Sequence, residues 1–351
     1  MFDPRSFRSV GAAAIVAGLS AAAAGGPAVA AAGPREAQGG TRVEIVEYRG
    51  WKNNLKLSNG QVELIVSLDV GPRILSYRLK EGDNVFAEYP DQLGKSGEDS
   101  WMIRGGHRLW VSPEDPARTY VPDNGPVAYA EIGPGHVRLT PKPESSVGLQ
   151  KEIDLKLDPE GTGVTLVHRV KNVGTQPTDL AIWALSVMAP GGVEVIPLPP
   201  SRPHPGGSEN ARGPEDFAPV TALVLWSYTD LADSRYTLRP DAIVLRQDKD
   251  RAATKIGLAN TVGAVGYLNG GTLFVKRFAY EPGASYPDRG VNFETYTDQN
   301  MLEIETLGPL TRLAPGQAVE HTETWELVGN VPPWVTPEAS TKIVLGKLKP
   351  R

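Results

Sequence analysis

Apolar residues in this chain recur at every second position in short runs, and glycine, proline or an Asn/Asp turn closes each run. Val62, Leu64, Val66 and Leu68 are the clearest case. Period-two alternation puts one set of side chains on one face of a strand, and no 3.6-residue stripe competes with it. The 38 glycines and 31 prolines fall largely between the runs, as connections between many short strands require. The chain is therefore expected to be all-β, a series of antiparallel hairpins. Residues 164–170 put Val164, Leu166, His168 and Val170 on one face, which makes His168 a core or groove histidine. Residues 180–188 read as a buried strand carrying Trp183. Later strands are expected at residues 222–228, 242–246, 264–268 and 272–279, with a charged turn at 249–254. Residues 317–328 close the pattern. Val319, His321, Glu323, Trp325 and Leu327 share one face there, with His321 and Glu323 expected near its rim.

The first 32 residues have the order of a signal peptide: Arg5 and Arg8, an apolar run over 10–24, then Ala28-Val29-Ala30 or Ala30-Ala31-Ala32 as a small-residue cleavage site. Residues 33–40 follow as a flexible leader, 41–330 as a single β domain and 331–351 as a C-terminal tail. No later stretch approaches the roughly 20 apolar residues that span a bilayer. The mature chain is expected to be exported, periplasmic or extracellular, and free of the membrane. It has no cysteine, which excludes disulfides, thiolate catalysis and cysteine zinc sites. A net charge of −5 without a basic block argues against a nucleic-acid partner. Five scattered histidines show no metal-ligand spacing, and neither a metal nor a cofactor is implied.

Two stretches carry chemistry. Residues 292–309 hold Glu294, Asp298, Glu303 and Glu305. Read as a strand, residues 301–307 put Glu303 and Glu305 on one face, about 7 Å apart at the usual rise. Two such carboxylates repel each other, and burial would raise at least one of their pKa values, as a general base requires. Residues 88–124 read instead as a long loop without its own periodicity, rich in Trp101, Arg104, His107, Arg108 and Trp110. Indole rings offer flat platforms to the CH faces of sugars, and arginine and histidine offer directed hydrogen bonds. Gly105 and Gly106 let a backbone or a ligand come close to His107.

The segments GGHRLWVSPEDPARTYVPDNGPV, MLEIETLGP and LAPGQAVEHTETWEL together resemble the galactose-mutarotase-like group, the aldose 1-epimerases and their relatives, and within it a secreted bacterial branch. The resemblance spans most of residues 42–328. It implies a β-supersandwich with a carbohydrate site on the concave sheet face. By that resemblance Glu305 stands where the family's catalytic glutamate stands, Glu303 supports or replaces it, and His107 matches an early sugar-holding histidine. The general-acid histidine of the family is replaced, in LAIWALSV, by Trp183. An indole N–H does not cycle protons near neutral pH, so the expected role is sugar recognition, with Arg104, Arg108, Trp110, His168, Trp183 and Asp298 as further contacts. An epimerase with a different acid, a noncatalytic structural or assembly module, and an eliminase or hydrolase using Glu305 with Glu303 or Asp298 are the other readings.

Overall fold

The computed structural model describes Arg35–Glu36 and residues 40–349. The expected signal peptide lies outside the described residues. Within them the chain is all-β, as the alternation requires: antiparallel strands form one sheet of twelve and one of ten, with a C-terminal helix at Pro337–Leu348. No helix among the described residues is long and apolar enough to cross a membrane.

The larger sheet begins as the hairpin series seen in the sequence, Arg42–Tyr48, Trp51–Ser58, Val62–Ser67 and Arg73–Leu79. It continues through strands far apart in the chain: Gly106–Ser112, Thr178–Met188, Leu302–Leu307, Phe293–Thr297 and Thr254–Leu258. Two of these differ from expectation. Gly106–Ser112, expected inside a long loop, is a fully buried central strand. Thr254–Leu258 begins where a charged turn was expected to end, and it too is wholly buried.

Gly105 and Gly106 make the first of these strands possible. Both have left-handed backbones, at φ +78° and +69°, and a Cβ would run into the Ala87 carbonyl at one and the Ile74 carbonyl at the other. What approaches these glycines is neighbouring backbone.

Parity then sorts the side chains. Leu109 and Val111 join Leu180, Ile182, Leu302 and Ile304 against Ile153, Leu166, Val170 and Trp325 of the smaller sheet, which forms the main core. On the outer face of the smaller sheet, Val193, Val195, Val244 and Val275 pack under Val344 and Leu348 of the C-terminal helix. Residues 331–351, expected as a tail, thus contain a helix that covers this sheet. The outer face of the larger sheet carries a separate cluster of Trp110, Trp183, Leu185 and Leu307, with Trp101 against it.

Candidate functional site

Strand register assembles the outer-face site from three distant segments. Glu305 lies opposite Leu185 on one side and Glu294 on the other. One step along, Glu303 lies opposite Tyr296, which in turn lies opposite Lys255. Lys255 reaches diagonally between the two carboxylates, with Nζ 2.6 Å from Glu294 Oε2 and 3.0 Å from Glu305 Oε2. The Trp183 indole N–H donates to the same Glu305 oxygen at 2.8 Å. The ammonium of Lys255 stands 4.8 Å from the ring centres of both Trp183 and Trp226, within cation–π range.

All three charged groups of this trio are buried. Burial pushes the carboxyls of Glu305 and Glu294 up, and Lys255 opposes the rise without cancelling it; Glu294 stands well above the usual carboxylate range. Burial alone would lower Lys255, but the two carboxylates overcome it and hold it charged. One ammonium between two buried carboxyls favours a single shared proton, so the carboxyls titrate as a pair. Glu294 Oε1 and Glu305 Oε1 have no hydrogen-bond partner, which leaves each free for a proton or a ligand.

A cavity of about 490 Å³ opens over this cluster, lined by Pro113, Glu114, Pro116, Tyr120, Trp183, Trp226, Asp288 and Glu294. A larger cavity, of about 630 Å³, lies among the turns around residues 81–85, 269–272 and 329–330, but no ring or buried charge lines it.

The residues expected at the site do not all come together. Glu303, Glu305, Trp110, Arg108 and Trp183 are on the outer face. Arg108 donates to Glu303 at 2.8 Å and lies over the Trp110 ring at 4.1 Å. Trp110 itself is packed between Trp101, Tyr120 and Trp183. The remaining four are placed elsewhere. Arg104 is buried in the covering loop, bonded to Glu98, Asn124 and the Lys95 carbonyl. Asp298 shapes a turn by accepting the Asn300 and Met301 amides. His107 shares the parity of Leu109 and Val111, so it points between the sheets, away from Glu305. There it meets His168, Nε2 to Nε2, at 2.7 Å.

That inner cluster is a continuous hydrogen-bond network. The His168 Nδ1–H donates to the His321 carbonyl at 3.1 Å, which leaves its Nε2 to accept from His107. His107 Nδ1 then accepts from the Ser186 hydroxyl at 2.9 Å. The His321 Nε2–H donates to Thr306 Oγ1 at 2.8 Å, and the Thr306 hydroxyl donates to Glu323. Glu323 also accepts from Lys276 at 3.0 Å and from the Trp325 indole at 2.9 Å. His321 and Glu323, expected near a rim, are thus buried in the core, where this network bonds His321 Nε2 and both Glu323 carboxylate oxygens.

Each histidine serves neutral. Burial lowers His107 and His168, and brings His321 to about 4. Glu323 is the reverse: burial would raise it, but Lys276 holds it well below the usual range. Ligand atoms of His107, His168 and Glu323 lie within 4.8 Å of one another, the spacing of a metal site. Lys276 already neutralises Glu323, and the two Nε2 atoms are committed to each other, so the set is satisfied without an ion.

Lys255, Glu294 and Trp226 are the site residues that sequence reasoning did not select. Glu294 was visible in the acidic run. Lys255 sits at the second position of TKIGL, whose Ile256 and Leu258 alternate as strand residues do.

No family model matches the chain, and no curated protein matches it. Solved structures do. A TPR-domain containing protein from Parabacteroides distasonis is 18% identical with a TM-score of 0.52, over 81% of this chain; the chain spans about half, 49%, of that protein. The Slr1438 protein from Synechocystis is 10% identical with a TM-score of 0.51, over 81% of this chain and 99% of its own. A candidate mutarotase, YeaD, from Salmonella typhimurium is 11% identical with a TM-score of 0.50, over 82% and 94%. The fold is galactose-mutarotase-like. At such identities the likeness is one of fold, and the chemistry has to come from the residues in this chain.

Proposed function

We propose that this is an exported carbohydrate-binding protein whose sugar site lies on the outer face of the larger sheet, over Glu294, Glu305, Lys255, Trp183 and Trp226. The observation that carries the reading is the cavity of about 490 Å³, which combines three aromatic side chains with a buried, unpartnered carboxyl oxygen. Flat rings with a few fixed polar groups are the usual means of holding a sugar. Export rests on the signal-like order of residues 1–32. N-terminal sequencing of the protein recovered from its native compartment tests it.

A second reading, an aldose epimerase, is favoured by Glu294 lying opposite Glu305. Mutarotation needs a base on the anomeric hydroxyl and an acid on the ring oxygen. A carboxyl pair sharing one proton supplies both, without a histidine. An NMR titration with a panel of hexoses, recording anomer exchange in the same tubes, decides between the readings. Saturable binding without accelerated exchange is expected. Trp226→Ala should weaken it about two- to tenfold, since loss of a stacking ring costs about 0.5–1.5 kcal/mol. Acceleration that disappears in Glu294→Gln makes the protein an epimerase. No binding across the panel overturns both sugar readings and leaves a noncatalytic module.

A further inference from the structure

We infer that the cavity over Glu294 selects a sugar bearing a protonated amine, an amino-deoxyhexose, over neutral and anionic sugars. The inference rests on the sugar-site reading and concerns which sugar that site takes. Three carboxyl side chains line the cavity, Glu114, Asp288 and Glu294, and no lysine, arginine or histidine does. The nearby cations are spoken for. Lys255 lies between Glu294 and Glu305, and Arg108 is bonded to Glu303.

Glu294 is the decisive group. It is 1% exposed, it lines the cavity, and its Oε1 has no partner. With the proton of the pair resting on Glu305, Glu294 meets the cavity as a carboxylate, and a buried acceptor of this kind is costly until a donor reaches it. A neutral sugar offers hydroxyls, each with one proton to donate. An ammonium offers three donors and a full charge, which makes its hydrogen bonds to carboxylates roughly twice as strong. Asp288 faces the same space. It takes a left-handed backbone (φ 48°, ψ 50°), as does Arg289 after it (φ 68°, ψ 24°), and the Ser112 hydroxyl donates to its Oδ2 at 3.3 Å.

The rings point the same way. Trp183 and Trp226 already hold one ammonium, that of Lys255, at 4.8 Å from each ring centre. Tyr120 and Asp288 line the same cavity as these two rings, so an amine bound there meets aromatic rings and a carboxylate together. A sugar phosphate or uronate would bring its charge against these carboxylates with no counter-cation to receive it.

The test is calorimetric titration of the wild-type protein at pH 6.5 with glucosamine and galactosamine, their N-acetyl forms, glucose, galactose, glucose 6-phosphate and glucuronate. The expected result is binding of an amino sugar at least tenfold tighter than of its N-acetyl and hydroxyl counterparts. That preference should shrink in Asp288→Asn and as salt rises. Neutral or anionic sugars binding as tightly as the amines would overturn the inference and leave the sugar site standing. A panel in which nothing binds would overturn both. Because the comparison among ligands uses the wild-type protein, it does not depend on any variant folding.

Discussion

Replacing Lys255 with methionine keeps the length of the side chain and removes the one cation between two buried carboxyls. At 2.6 and 3.0 Å and an effective dielectric near 20, each contact is worth roughly 6 kcal/mol before desolvation is subtracted. Removing one partner of a buried pair typically costs about 3–5 kcal/mol, because the charge left behind has no compensation. Glu294 and Glu305 have an escape, since each can take a proton. Their folded pKa values are already raised by burial, against an ordinary value of 4.5, and loss of Lys255 raises them further. A carboxyl raised in the folded state contributes stability that is present below its unfolded pKa and lost as pH climbs through the folded one. The deficit of Lys255→Met relative to wild type should therefore grow with pH. We expect about 1 kcal/mol or less at pH 5 and about 3–5 kcal/mol at pH 8. Urea unfolding followed by tryptophan fluorescence measures it directly, since Trp183 and Trp226 flank the ammonium. A deficit independent of pH, or below about 1 kcal/mol at pH 8, would refute the shared-proton account of the trio.

The inner network gives three further expectations. Lys276→Met should cost about 3–5 kcal/mol by leaving Glu323 charged in the core, and adding Glu323→Leu should restore most of the loss in the same urea assay. His321, brought to about 4 by burial, contributes stability that is full above its unfolded value of 6.5 and declines as pH falls from there toward 4. By pH 5 that is about 2 kcal/mol, so wild type should lose that much more than His321→Gln between pH 7 and pH 5; an equal loss in both would count against a neutral buried ring. Thr306→Val leaves His321 and Glu323 each short of a partner and should cost about 1–3 kcal/mol, with faster hydrogen exchange across Leu302–Leu307; unchanged exchange would mean the hydroxyl does not hold that strand.

Strand faces were legible in this sequence, whereas strand partners were not. Parity alone puts Glu303 and Glu305 together on one face, and the structure buries them there. The same rule, applied to GHRLWVS, would have put His107 with Leu109 and Val111 and separated it from Arg108 and Trp110. The polar residues and glycines that precede the segment give it the look of a loop. His321 and Glu323 keep the face that parity predicts but lie deeper than the rim. Burial of such groups depends on Lys276 and Thr306, which come from other strands, and no local pattern announces them. Lys255 and Glu294 illustrate the same limit. Their meeting with Glu305 depends on the register of three strands, Thr254–Leu258, Phe293–Thr297 and Leu302–Leu307, and residue spacing does not fix that register.

The two polar clusters are opposite faces of the same strands, which gives the inner one a part in the site. Glu305 lies between Ile304 and Thr306. Lys276 donates to the Ile304 carbonyl at 3.2 Å, and Thr306 is held by His321 and Glu323. The neighbouring strands are tied at the same level, because Ser186 pairs with both His107 and Ile304, and the His107 ring is bonded to Ser186 and to His168 of the other sheet. A carboxylate on a strand anchored only by its ladder could shift with the pleat. Here bonds from the second sheet fix the residues on both sides of Glu305, so its carboxyl, with the Glu294 carboxyl and the Lys255 ammonium beside it, keeps its place while its own second oxygen stays unbonded. The histidines that the sequence suggested for ligand contact thus act one layer below, through the backbone that carries the glutamates.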